Sequence, residues 1–314
     1  MKKGYLCEDG LHLNIFGENI EGLYDEEYIS YVEDLYISEI ADKVSLDYSV
    51  FKRLKRLMIS SLETYTFPKE ICHLPLLEQI DCSGKCLIPL EIGEMSNLKK
   101  LDVTGDSVLH LPESIHKVSS LKVLTVSCYG DIAPCPMPRW ITSLTQLEEL
   151  YLHLCQFTEI DMAINNLSNL KTLCLWSSLS VVNDFPVITN LKKLKRLSIT
   201  GSGFSGAPKP SYTLFEKVLK GIASLNTLTS LDLSDWRSRK KADYLIVTKK
   251  GKSIPDIFDR YPELESLDLS GMRIDYLPPN IYRLSKLNRI NVDGNNLSDE
   301  CLEPLRLSNV VINS

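Results

Sequence analysis

Four residues that lie close together in the chain carry side chains able to hold a soft metal ion: Cys72, His73, Cys82 and Cys86. Thiolate and imidazole donors in that number suit a tetrahedral zinc site. Cys82, however, falls on an inward position of a strand pattern, where a cysteine acts as a small buried hydrophobe. No metal and no cofactor is therefore expected. The five histidines, His12, His73, His110, His116 and His153, are scattered, and no serine or cysteine nucleophile stands beside any of them in a recognisable motif. No glycine-rich loop joins a strand to a helix in the way phosphate binding requires; Gly201, Gly203 and Gly206 read as turn residues. The side chains thus predict a protein that is not an enzyme. The alternative is an enzyme with an unrecognised site near the insertions described below.

The totals narrow the class further. The chain has 314 residues, 44% hydrophobic and 24% charged, with a net charge of −6. Those fractions are ordinary for a folded soluble protein, and the acidic balance argues against a nucleic-acid partner. Charge is unevenly placed: residues 1–50 hold 12 acids and 3 bases, whereas residues 237–252 hold 7 bases and 1 acid. Met1-Lys2-Lys3 opens like a secretory leader or a bacterial gene, but Glu8, Asp9 and Gly10 interrupt any apolar core. No apolar run approaches the ~18 residues of a membrane span. Nine cysteines without framework spacing fit free thiols in a reducing, cytoplasmic setting.

The elements that must position any functional residue repeat. Leu54-Leu57-Ile59 begins a unit that Pro68, Ile71 and Leu74 close, and the same phrase returns from residues 77, 98, 121, 147, 170, 194, 228, 264 and 287. Its L-x-x-L-x-L part alternates with period two, predicting a short strand with one buried face. Its P-x-x-I-x-x-L part has helical spacing, predicting a short helix or 3₁₀ turn opposite the strand. One unit cannot cover its own apolar face, so neighbours must stack. The chain resembles the leucine-rich repeat family in its roughly 23-residue form, with Leu111-Pro112-Glu113-Ser114-Ile115 and Leu277-Pro278-Pro279-Asn280-Ile281 as good copies.

That resemblance implies an α/β fold: a leucine-rich repeat solenoid, or horseshoe, with its parallel sheet on the concave side and short helices on the convex side. Its looser copies are similar to those of plant immune receptors and bacterial repeat effectors. Cys7-Glu8-Asp9 matches the C-x-D motif of bacterial repeat ubiquitin ligases, but those carry it in a large helical domain that does not fit here. The family places Asn after each strand to bond the loop backbone. Asn295 fits and Cys155 is a known substitute, but Leu62, Lys85, Asp106, Tyr129, Ser178, Ser202, Trp236 and Met272 stand at the other positions. Those loops are expected to find other partners, such as water.

Residues 1–31 read as an N-terminal cap, either a hairpin of Tyr5-Leu6-Cys7 with Leu11-His12-Leu13 or a degenerate first repeat using Leu11 and Leu13; residues 32–314 read as the repeat domain. Two long steps mark insertions at about 201–224 and 235–258. The first has Leu214, Phe215, Val218, Leu219 and Ile222 on one helical face, and the second has a strand-prone Ala242–Thr248. Together they suggest a local protrusion on a binding face. Two contact surfaces are expected for a protein partner. On the sheet, Tyr151, His153 and Trp176, with Tyr129 one repeat earlier, are aromatic among small or polar outward residues; they form either a contact surface or packing of Trp176 on Tyr151. In the second insertion, Arg237, Arg239, Lys240, Lys241, Lys249, Lys250 and Lys252 form either a solvated loop or a surface for an acidic protein or membrane headgroups. A non-enzymatic, monomeric recognition scaffold is the function this predicts, with a ligand or membrane-surface sensor as a further alternative.

Overall fold

The computed structural model describes residues 5–6, 12–16, 29–38, 47–105, 111–129, 133–179, 181–182, 184–201, 212–236, 246–248 and 251–314. The chain forms two compact units, Met1–Ile132 and Ala133–Ser314.

The first unit contains β1 (Tyr5–Leu6), β2 (His12–Phe16), β3 (Asp34–Ser38), β4 (Arg56–Ser60), β5 (Tyr65–Thr66), β6 (Gln79–Ser83), β7 (Cys86–Leu87), β8 (Lys100–Gly105) and β9 (Val123–Cys128). Its main sheet runs β1-β2-β3-β4-β6-β8-β9. Only β1 is antiparallel, pairing Tyr5 with Asn14 and Leu6 with Leu13. The remaining strands are parallel and share one register, so that Leu13, Leu35, Leu57, Ile80, Leu101 and Leu124 form one inward row. The N-terminal segment is thus hairpin and first repeat at once. The repeat uses Leu13 and Ile15, which pair with Leu35 and Ile37, rather than Leu11 and Leu13. The two choices share one alternation, so His12 and Asn14 face outward in either.

The second unit contains β10 (Glu149–His153), β11 (Thr172–Cys174), β12 (Arg196–Ser198), β13 (Ser230–Asp232), β14 (Ile246–Thr248), β15 (Gly251–Ser253), β16 (Ser266–Asp268), β17 (Arg289–Asn291) and β18 (Val311–Asn313), with helices α1 (Arg139–Thr142), α2 (Tyr212–Gly221) and α3 (Asp299–Leu307). Leu150, Leu173, Leu197, Leu231, Leu267, Ile290 and Ile312 form its inward row.

The apolar positions of the repeat are the core. Leu147, Leu150, Leu152, Leu170, Leu173 and Leu175 are all fully buried. Opposite the strands, Pro68, Pro89, Pro112, Pro138 and Pro278 each precede a short helical turn. Proline suits that place because the first helical turn needs no N–H from it. Asp161 does the same work by accepting from the Ala163 N–H at 2.8 Å. At the start of many of the parallel strands a single carbonyl accepts from two successive amides of the next repeat. Glu33 takes Lys55 and Arg56, and Lys171 takes Lys195 and Arg196, at 2.8–3.0 Å.

The apolar face of α2 is packed away, with Leu214, Phe215, Val218, Leu219 and Ile222 all at most 3% exposed. Phe215 meets the Trp236 ring at 4.9 Å. In the second insertion Ile246–Thr248 pairs antiparallel with Gly251–Ser253, and the rest of the expected Ala242–Thr248 strand lies outside the described residues. That hairpin is fastened to the following repeat: Lys252 N–H donates to Asp275 Oδ2, and Asp275 N–H donates back to the Lys252 carbonyl, both at 2.8 Å. Gly251 sits at φ +116°, and a Cβ there would lie 2.7 Å from Asp275 Oδ2, so only glycine permits the contact.

Candidate functional site

Alternation along β10 to β13 sends Glu149, Tyr151, Thr172, Cys174, Arg196, Ser198 and Asp232 to the face opposite the leucine rows. His153 and Trp176 extend the same face at the strand ends. His153 lies between the other two aromatic rings, 6.1 Å from Tyr151 and 5.9 Å from Trp176, edge-on to both. The three rings thus form a chain with the imidazole at its centre. All three are half-buried, so each keeps part of its ring exposed. Burial holds the His153 imidazole below its ordinary range, which leaves it neutral near pH 7.

Around the rings the polar groups are tied together. Tyr151 OH donates to Glu149 Oε2 at 2.6 Å. Arg196 reaches Glu149 Oε1 at 3.3 Å, two strands away. Thr172 stands between them in register, so this bridge passes over it. Its Oγ1 is the one buried side-chain polar atom with no hydrogen-bond partner among the described residues. Further along, Ser198 Oγ donates to Asp232 Oδ2 at 2.8 Å and Ser234 N–H donates to Asp232 Oδ1 at 3.0 Å. Burial raises the Asp232 carboxyl above its ordinary value in spite of those bonds, and the neighbouring Asp268 adds to the rise. Burial also pushes the Cys174 thiol up. Burial therefore keeps the Cys174 thiol protonated, so it is not an activated nucleophile.

A family model described as a leucine-rich repeat region matches residues 69–209, within the stretch where the strands repeat in one register. The chain carries a leucine-rich repeat region. It is 27% identical over 232 residues to the mouse (Mus musculus) volume-regulated anion channel subunit LRRC8B, covering 68% of this chain and 26% of that protein. Against TMV resistance protein N of Nicotiana glutinosa it is 24% identical over 243 residues, 76% of this chain and 17% of that protein. This leucine-rich repeat chain thus spans about a quarter or less of the curated relatives it matches. Among solved structures, an internalin (inlF) from Listeria monocytogenes aligns at a TM-score of 0.49 and 16% identity, covering 97% of this chain and 86% of that one.

The chain also shows how its loops do without most of the family's asparagines. Asn295 Nδ2 donates to the carbonyls of Leu269 and Val292, both at 2.8 Å. At the equivalent position Ser178 Oγ donates to the Leu152 carbonyl at 2.8 Å and accepts from the Cys155 N–H at 3.0 Å. Trp236 Nε1 donates to the Ile199 carbonyl at 2.8 Å. A hydroxyl and an indole thus replace the amide directly, where water or irregular loops were expected. Sequence reasoning missed both because it sought the residue type, whereas the position needs only a donor of the right reach.

The remaining expected residues fall elsewhere. Tyr129 follows β9 in the first unit, 49% exposed. Lys252 is exposed on β15, while Arg237, Arg239, Lys240, Lys241, Lys249 and Lys250 lie outside the described residues, as do Cys7, Glu8, Asp9 and His110. Cys72, Cys82 and Cys86 are buried and His73 faces Glu94 at 4.0 Å. Among the described residues no group of three or more His, Cys, Asp or Glu side chains is arranged to hold a metal ion. On the outward face of the first unit Asp34 holds both His12, at 2.6 Å, and Arg56, and Asp81 takes Lys100 at 3.5 Å, while burial raises the Asp102 carboxyl above its ordinary value. No helix among the described residues is long and apolar enough to cross a membrane.

Proposed function

We propose that this chain is a non-enzymatic recognition module that binds a protein partner through the outward face of its second unit, anchored on Tyr151, His153 and Trp176. The observation that carries the reading is the three-ring chain itself. Aromatic side chains dominate binding energy at protein interfaces, and these stand half-open among serines, threonines and aspartates on a rigid sheet. The raised thiol of Cys174 supports binding over catalysis. Likeness to TMV resistance protein N and to a probable disease resistance RPP8-like protein supports an immune-receptor-like role for the module. A reducing, cytoplasmic setting belongs to the same proposal, supported by eight free cysteines among the described residues. The test is affinity capture with the wild-type chain and with Trp176→Ala, verified as folded by circular dichroism. A partner held by the first and lost by the second supports the reading; equal capture of that partner by both overturns it.

A further inference from the structure

The charges on the second unit's outward face are unbalanced in a way that specifies the partner. Along β10 to β17 its outward positions hold four carboxylates, Glu149, Asp232, Asp268 and Asp293, against two guanidinium groups, Arg196 and Arg289. Arg196 is engaged with Glu149. Asp232 and Asp268 have no ion pair among the described residues, and all their described bonds come from neutral donors. In the first unit Asp34 and Asp81 carry their own cations, whereas Asp102 has no ion pair among the described residues and shares the state of Asp232.

A second, independent feature lies on the same face. Thr172 is 5% exposed and its hydroxyl is unpartnered beneath the Arg196–Glu149 bridge. An unsatisfied buried hydroxyl costs stability unless something else completes it. The bridge above it is held by an exposed arginine, a kind of contact that gives way readily.

We infer that the face takes an extended, arginine-bearing segment of a partner protein, with a guanidinium stacked on Trp176 and paired with Asp232, and with the segment's main chain reaching Thr172 as Arg196 swings aside. The inference rests on the docking reading above and adds the partner's chemistry to it. A planar cation can both stack on an aromatic ring and pair with a carboxylate. The neutral His153 between the rings places no positive charge against it. Asp232, with its charge half-buried and lacking a cation, is a group whose ionisation disfavours the free fold and favours the complex.

The test uses a fluorescein-labelled octapeptide of alternating arginine and glycine, read by anisotropy at low salt against the same peptide with glutamate for arginine. The arginine peptide is expected to bind and the glutamate peptide not to. Trp176→Ala and Asp232→Asn should each weaken the arginine peptide at least tenfold. Glu159→Gln, which removes an exposed carboxylate elsewhere in the same unit, should leave it unchanged. Asp232→Asn should also raise the Tm of the free protein, which a merely structural aspartate would not do, and this keeps the test valid if Trp176→Ala fails to fold. Equal binding by wild type and Asp232→Asn, or preference for the glutamate peptide, overturns the inference. If Trp176→Ala loses the captured partner while Asp232→Asn keeps both partner and peptide, the charge assignment falls and the docking surface stands. If Trp176→Ala keeps the captured partner, both fall.

Discussion

At the scale of single residues, the sheet face is defined by groups held away from their ordinary chemistry. His153 is the clearest case. Its folded pKa lies below the model-compound value of 6.5 because burial disfavours the imidazolium. The neutral form therefore contributes its full stability above about pH 6.5. That contribution is lost as pH falls from there towards the folded pKa, where the unfolded chain binds the proton and the folded chain does not. Urea unfolding between pH 7.5 and 5 should show a steeper loss for wild type than for His153→Gln; parallel profiles would show that the ring is not desolvated. Residues of this kind were partly legible in advance. The aromatic positions followed from register alone, because alternation fixes which side chains leave the core. The buried hydroxyl of Thr172 and the uncompensated Asp232 did not, since each depends on what neighbouring strands place beside it.

Elements come next. The strand and the turn of each repeat are cheap to recognise because the leucines and prolines encode them locally. Leu150→Ala should cost about 2–5 kcal/mol, as removal of a fully buried leucine usually does. The loops between are encoded by reach instead of residue type. Ser178→Ala removes the hydroxyl that bonds both the Leu152 carbonyl and the Cys155 N–H, and should cost about 1–3 kcal/mol in equilibrium unfolding, whereas a solvated serine would cost almost nothing. The insertions illustrate the same limit. The helical face of Leu214, Phe215, Val218, Leu219 and Ile222 was readable, but its docking beside Trp236 was not. Excess length suggested protrusion, while an amphipathic helix this apolar has more to gain by packing. Gly201 shows the tightness of that packing, since a Cβ there would fall 2.2 Å from the Asp235 carbonyl oxygen.

For the molecule as a whole, each unit owes its stability to stacked neighbours and its specificity to residues the stack does not need. The leucine rows are interchangeable between repeats, whereas Glu149, Tyr151, His153, Thr172, Trp176, Arg196 and Asp232 occur on a few strands only. The second unit also exposes apolar side chains on its other side, Met162 at 67% and Val187 at 52%, which offer a rival surface. Amide hydrogen exchange of the protein, free and saturated with the captured partner, separates the two most directly. Protection confined to β10 to β13 and the residues just after them, with no change around Met162 and Val187, is the predicted result. Protection at Met162–Asn166 and around Val187, with those strands unchanged, would contradict the account.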